Sequence, residues 1–156
     1  MEEDELLVTF DVKLLYTSVP VKLALNCVRK LLSSSSAWQG QWPLSVKTVM
    51  EFLTTCLSES AFKFREQFYN VKDGLAMGSP VSAIVANIFM ADLEERALST
   101  MRRHPKLWFR YVDDVLSIVK RREVETTLAH LNQQDEAIVF TMEEEKDGFL
   151  PSSTQQ

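Results

Sequence analysis

Two adjacent aspartates interrupt an apolar, strand-like run of the chain. Asp113 and Asp114 lie between "FRYV" and "VLSIV", where two carboxylates repel each other and resist losing water. A third carboxylate, Asp11, lies near the end of "LLVTFDV", another β-branched and aromatic run. Gathered carboxylates bind hard divalent cations through oxygen, and two such ions can flank a displacement at phosphorus. The pattern predicts metal-dependent nucleotidyl transfer if the fold brings these aspartates together, whereas an Asp-Asp pair alone also fits a solvated turn.

Hydrophobic periodicity predicts the elements that must position these aspartates. "LWFRYV" and "VLSIV" predict two strands with the Asp pair at the turn between them. Ser79 suits a helix N-cap and Pro80 the first helical position, and the apolar residues from Val81 to Leu93 predict a long helix packed on a core. The order β-α-α-β-β-α-β-β-α-β-β predicts an α+β domain with an antiparallel sheet and helices packed on one face.

The remaining elements are predicted from shorter patterns. They are a strand over Leu6–Val12, helices from about Val21 and Ser45, a hairpin over Ala61–Val71, a helix over Glu123–Gln134 and a final strand at "AIVFTMEEE".

Composition and charge limit the classes of function. The chain has 156 residues, of which 46% are hydrophobic and 25% charged, as is usual for one globular domain. No apolar run has the length of a membrane span, so we expect no membrane partner. A net charge of -5 disfavours phosphate contacts unless a basic surface lies elsewhere in a larger protein. Two local clusters are compatible either with nucleic-acid contacts or with solvated helix ends and turns: Arg102, Arg103, Lys106 and Arg110, and then Lys120, Arg121 and Arg122.

Three stretches in order resemble the motifs of a known family. "FDVKLLYTSVP", "GLAMGSPVSAIVANIFM" and "YVDD" look like motifs A, B and C of the reverse transcriptase palm, and are most similar to Penelope-like retroelement reverse transcriptases. "LNQQDEAIVFTMEEEKDGFLP" resembles the segment that follows motif C in that family. The resemblance extends from Leu6 to Pro151 and implies a polymerase palm that acts as an RNA-directed DNA polymerase.

The resemblance implies a metal site and a reaction. Asp11, Asp113 and Asp114 would be the catalytic, metal-binding carboxylates, holding two Mg²⁺ ions, with Mn²⁺ as an alternative. The reaction would be transfer of a nucleotide from a dNTP onto a primer 3′-OH, on an RNA or DNA template.

Four further residues are implied to contact the incoming nucleotide. Tyr16 would clash with a ribose 2′-OH and so favour deoxynucleotides, although a buried loop aromatic is the alternative. Gly78, Ser79 and Pro80 would shape a loop against the nucleotide and the template base, although they are also a good helix start.

Two more positions have weaker interpretations. Tyr111 would lie near the primer end, or else be a core tyrosine. Lys146 is a candidate basic residue near the triphosphate, but the run "EEEKDG" is more typical of solvated charge.

Departures from the family pattern predict a fragment. Only ten residues precede Asp11 of motif A, the glutamine usual before motif B is missing from "FYNVKDGLAMG", and the usual "LPFLD" reads "LPSSTQQ". We therefore interpret residues 1–151 as a palm fragment with fingers and thumb largely absent, and residues 152–156 as a disordered tail.

Such a fragment is expected to be inactive alone and to need a complete enzyme in order to use a template, a primer and dNTP. The alternatives are a non-catalytic retroelement remnant acting as a binding module, and an RNA-templated RNA polymerase palm. An intracellular location, and the nucleus in particular, is expected from the family alone, and the oligomeric state is left open.

Overall fold

The computed structural model describes residues 3–36, 43–58, 61–64, 67–70 and 74–144. In chain order, the elements in these ranges are β1 (Glu5–Lys13), α1 (Leu15–Ser18), α2 (Val21–Ser34), α3 (Val46–Ser58), β2 (Ala61–Phe64), β3 (Gln67–Asn70), α4 (Pro80–Thr100), β4 (Leu107–Tyr111), β5 (Asp114–Lys120), a 3₁₀ turn (Arg121–Glu123), α5 (Val124–Asn132) and β6 (Val139–Glu144).

The chain divides into two units, of which unit 1 comprises residues 1–13 and 93–156. Its described part contains a four-stranded antiparallel sheet in the order β4-β5-β1-β6. Along β1 every second side chain, Val8, Phe10 and Val12 among them, is fully buried, and the side chains between them are half-exposed. This period of two gives the sheet one dry face, and a slip of one residue in register would expose it to water.

Helix α5 and the end of α4 complete unit 1. Asn132 at the end of α5 is hydrogen-bonded to both backbone groups of Phe140 in β6, accepting from its N–H at 2.7 Å and donating to its carbonyl at 3.1 Å. His130 Nε2 lies 2.9 Å from the carbonyl oxygen of Ala97 in α4. Leu131 and Phe140 are almost completely buried. This arrangement confirms the predicted α+β fold, an antiparallel sheet with helices on one face.

Unit 2 comprises Leu14–Asp92 and contains α1, α2, α3, the β2–β3 hairpin and the first part of α4. Helices α2 and α3 contact each other. Lys30 of α2 forms an ion pair with Asp92 of α4 at 2.8 Å. The hairpin confirms the strand pair that was predicted from composition, with Phe64 opposite Gln67.

One described element differs from the sequence prediction, and one predicted strand is not tested by the described residues. Helix α1 was not predicted, because four residues are too short for a hydrophobic period; it begins where Leu14 takes a left-handed φ of 50°. The predicted order ended in two strands; β6 is the first of them, and the residues after Glu144 lie outside the described part of the chain. Among the helices of the described ranges, none is both long enough and apolar enough to cross a bilayer.

Candidate active site

A row of four residues crosses the sheet of unit 1 and contains two of the predicted aspartates. Pairing of β1 with β5 places Asp11 directly opposite Asp114. Pairing with β4 adds Tyr111 opposite Asp114, and pairing with β6 adds Thr141 opposite Asp11. Residues directly opposite each other in antiparallel strands point to the same face. The sheet therefore brings Asp11 and Asp114 together on its half-exposed face, beside the exposed ring of Tyr111.

Asp113 lies in the tight turn between β4 and β5. Because Tyr111 pairs with Asp114, the turn consists of Val112 and Asp113 alone. The sequence placed both aspartates in this turn, but Asp114 is already the first residue of β5. The carbonyl oxygen of Asp113 accepts a hydrogen bond from the N–H of Val12 at 3.0 Å. The turn is thus fixed to the strand that carries Asp11.

Val112 has an unusual backbone conformation, with a φ of 56°. The favoured two-residue hairpin turns, types I′ and II′, have positive φ at their first central position, where glycine or asparagine is preferred. In an L-residue the left-handed region costs about 1–2 kcal/mol, and a β-branched side chain there is a real outlier. Surrounding interactions must therefore hold this turn in place.

The charge on Asp11 is offset by a residue of its own strand. Lys13 Nζ lies 2.6 Å from Asp11 Oδ2, with side-chain exposures of 57% and 28%. The hydroxyl of Thr141 donates to the same oxygen at a long 3.5 Å. Like charges opposite each other in a sheet are destabilising, so the Lys13 ammonium relieves the repulsion between Asp11 and Asp114.

The two carboxylates of Asp11 and Asp114 form a donor set that suits a hard cation. Within the part of the chain that is described, no three His, Cys, Asp or Glu side chains are grouped so as to hold a metal ion. Asp11 and Asp114 nevertheless share one face, and carboxylate oxygens are the ligands that Mg²⁺ prefers. A divalent ion here would compete with Lys13 for Asp11.

Tyr16, the predicted sugar-contacting residue, is half-buried in α1 of unit 2. Its carbonyl accepts a hydrogen bond of 2.6 Å from the N–H of Leu75, which is itself buried. Gly74 makes this approach possible, since a Cβ at this position would lie 2.5 Å from the carbonyl oxygen of Thr17. Gly74 also has a φ of +84°, which other residues rarely adopt. A glycine therefore joins the segment before α4 to the backbone of Tyr16.

The predicted Gly-Ser-Pro loop leads into α4 as expected. Gly78 has a φ of +88° with open space around its Cβ position. The carbonyl of Ser79 accepts the first helical hydrogen bond, from Ala83 N–H at 3.2 Å, and Pro80 is the first residue of the helix. The predicted helix start is confirmed, while the nucleotide-binding role of this loop stays a prediction.

The basic clusters are largely neutralised by acidic neighbours. Lys120 forms an ion pair with Asp4 at 2.6 Å, and this hydrogen bond holds the pKa of the Asp4 carboxyl below its usual value of about 3.8. Such pairs favour the interpretation as structural surface charge over that as free phosphate contacts. Further pairs join Lys106 to Glu5 at 3.1 Å, Arg110 to Glu94 at 2.9 Å, and Arg103 and Arg122 to Glu123 at 3.8 and 3.7 Å.

Comparison with known protein families identifies the chain's relatives. The family described as reverse transcriptase (RNA-dependent DNA polymerase) matches residues 1–153. The chain belongs to the reverse transcriptase family. A comparison with curated protein sequences gives no match.

Solved telomerases have a similar fold. Apo telomerase from Candida tropicalis matches with a TM-score of 0.69 and 13% identity, over 92% of this chain and 29% of that chain. Telomerase from Candida albicans, in complex with a TWJ fragment of telomeric RNA, matches with a TM-score of 0.69 and 13% identity, over 97% of this chain and 28% of that chain. Apo telomerase from C. tropicalis truncated from its C-terminal domain matches with a TM-score of 0.63 and 13% identity, over 97% of this chain and 32% of that chain. At this identity the likeness concerns the fold, and the chain spans less than a third of each telomerase.

Sequence reasoning missed some residues at the row of aspartates. Lys13 could have been found, because residues two apart on a strand share a face. The position of Thr141 opposite Asp11 depends on the register of β6 with β1, which no local sequence pattern determines. Lys146 and the predicted tail at 152–156 lie outside the described residues.

Proposed function

We propose that this reverse transcriptase chain is the palm of an RNA-directed DNA polymerase of the Penelope-like type, active only within a complete enzyme. The observation that carries the proposal is the cross-strand pair of Asp11 and Asp114, next to a turn in which Asp113 is tied to β1. Family membership supports the class of reaction. The Penelope-like assignment rests on the amino-acid residues that make up motifs A, B and C.

In this proposal the aspartates hold the metal ions of the reaction. Asp11, Asp113 and Asp114 would bind two Mg²⁺ ions, which when bound lower the pKa of an attacking hydroxyl and neutralise the leaving pyrophosphate. The chain contributes fixed positions, because β1 and β5 are paired along their whole length up to these residues. The ammonium group of Lys13 offsets the negative charge of Asp11 until a metal cation takes its place.

Residues other than the aspartates would select and orient the substrates. Tyr16 would exclude a ribose 2′-OH by steric clash, which favours a DNA product over an RNA product and disfavours the RNA polymerase alternative. The backbone around Gly78 would allow close approach of the nucleotide. Tyr111, with 74% of its surface exposed next to Asp114, is available to contact a primer end.

One observation favours the alternative of a non-catalytic binding module. Leu107, Phe109 and Tyr111 alternate along β4 on the face that carries Asp114, and all three are exposed. Exposed apolar side chains in a row are typical of surfaces that bind something. In the polymerase, nucleic acid and the rest of the enzyme would cover this face, and we expect the complete protein to act in the nucleus.

Binding of Mn²⁺ to the isotopically labelled chain tests the metal site. In the polymerase proposal, Mn²⁺ broadens the amide NMR signals of residues around Asp11 and Asp114 first. The substitutions Asp11→Asn and Asp114→Asn should each abolish that local broadening. Asp4→Asn is the matched control, since it removes the same charge at the other end of β1. Broadening that is equal in Asp114→Asn and Asp4→Asn would contradict the proposal.

Primer extension separates the palm from a complete enzyme. We expect the purified chain not to extend a primer, because most basic side chains of the two clusters described above are in ion pairs, and grip on the duplex would have to come from other parts of a complete enzyme. Inserted into a Penelope-like reverse transcriptase in place of the corresponding segment, it should support extension that Asp113→Asn abolishes. A folded chimera without extension would favour the binding module, and extension by the isolated chain would refute the expected inactivity.

A further inference from the structure

Arg110 connects the aspartate turn to helix α4. Arg110 Nε donates to Glu94 Oε1 at 2.9 Å, and both side chains are nearly buried, with exposures of 10% and 11%. Arg110 Nη1 donates to the carbonyl oxygen of Val112 at 3.1 Å. One guanidinium group therefore contacts both helix α4 and the turn that contains Asp113.

The contact is made from the side of the sheet opposite the aspartates. Arg110 lies between Phe109 and Tyr111, whose side chains are on the face of Asp114, so Arg110 points to the other face by strand alternation. The turn is thus held at two carbonyls. The N–H of Val12 donates to the carbonyl oxygen of Asp113, and the Arg110 guanidinium donates to the carbonyl oxygen of Val112.

Stability alone does not explain this ion pair. Burying two charges carries a desolvation cost that their attraction often only balances, and apolar replacements of similar size are frequently as stable. At the same place Val112 has a φ of 56°, a conformation that persists only when its surroundings enforce it. A fixed hydrogen bond to the Val112 carbonyl supplies such enforcement.

We propose that Arg110, anchored by Glu94, is a positioning residue that holds Val112 in its left-handed conformation and thereby keeps Asp113 and Asp114 in place for cation binding. Its consequence for catalysis rests on the proposed function, whereas its effect on the turn does not. Arginine suits this role because its planar fork has donors for both the carboxylate and the carbonyl, while lysine has a single ammonium group.

Two variants of Arg110 and one matched control test the proposal in the full chain. Arg110→Lys keeps the charge next to Glu94, and Arg110→Met keeps much of the volume without charge. Arg103→Met is the control, because Arg103 is 55% exposed and pairs with Glu123 at 3.8 Å. The first measurement is the intraresidue NOE between the amide and Hα protons of Val112, which is strong only at positive φ. The second is the Kd for Mn²⁺, and urea unfolding is followed in parallel.

We expect both Arg110 variants to lose the strong Val112 NOE and to bind Mn²⁺ about tenfold more weakly, which corresponds to about 1.4 kcal/mol. The Arg103 variant should change neither quantity. A folded Arg110→Lys or Arg110→Met chain with an unchanged NOE would overturn the proposal. If Arg110→Met does not fold, Arg110→Lys decides alone. Loss of the NOE in a chain whose parent does not bind Mn²⁺ at the turn would support the positioning role and count against the polymerase function.

Discussion

The ammonium group of Lys13 lies 2.6 Å from the Asp11 carboxylate, on the strand face that also carries Asp114. Lys13 thus occupies the position of a counter-ion to the candidate metal-binding carboxylates. Lys13→Met should tighten Mn²⁺ binding by about threefold to fivefold, since an exposed ion pair contributes up to about 1 kcal/mol. Isothermal titration calorimetry of the purified chain measures this change.

Lys30→Met is the matched control for that prediction. Lys30 also forms a short ion pair with an aspartate, Asp92 at 2.8 Å, but in unit 2. Its removal should leave the Kd for Mn²⁺ unchanged. Weaker Mn²⁺ binding in Lys13→Met than in the parent chain would mean that Lys13 supports the site rather than competing for it.

Gly74 and Gly78 have almost the same φ, +84° and +88°, but different surroundings. Alanine at either position meets the left-handed penalty of about 1–2 kcal/mol. At Gly74 the new Cβ would also press against the Thr17 backbone, and overpacking of this kind adds about 1–3 kcal/mol. Gly74→Ala should therefore lower the free energy of unfolding clearly more than Gly78→Ala, as measured by urea denaturation. Equal losses would contradict the close approach of Gly74 to Thr17.

The sequence predicts those features of the fold that depend on interactions between residues close together in the chain, and it does not predict those that depend on tertiary contacts. The strands and helices follow from local periodicity, and the start of α4 at Pro80 follows from local capping chemistry. That Asp11 would join the aspartate hairpin came from the resemblance to reverse transcriptases, because no local pattern fixes the pairing of β1 with β5. The bonds from Arg110 to Glu94 and to Val112 depend on tertiary packing, so the sequence showed only an arginine in a basic cluster.

Asn132 fixes β6, the edge strand that carries Thr141 opposite Asp11. Its side-chain amide both donates to and accepts from the backbone of Phe140. Asn132→Ala removes both hydrogen bonds, and we expect a loss of about 1–2 kcal/mol in the free energy of unfolding. Gln133→Ala, at the next and also exposed position, should change it by less than about 0.5 kcal/mol. A similar effect of both substitutions in urea denaturation would show that the paired bonds do not anchor β6.

The carbonyl oxygen of Tyr16 accepts a hydrogen bond of 2.6 Å from the N–H of Leu75. Because this contact involves only the backbone of Tyr16, the side chain can be changed without removing it. If the ring excludes a ribose 2′-OH, Tyr16→Ala should raise the use of ribonucleotides relative to deoxynucleotides, whereas Tyr16→Phe keeps the ring and should retain the selectivity. The measurement is primer extension with each nucleotide type, in the chimera that contains this palm. We expect a change of at least about tenfold in the ratio of kcat/KM values, since steric exclusion of one hydroxyl is worth about 1.4 kcal/mol or more. Equal ratios for Tyr16→Ala and Tyr16→Phe would remove Tyr16 from sugar selection and reopen the RNA polymerase alternative.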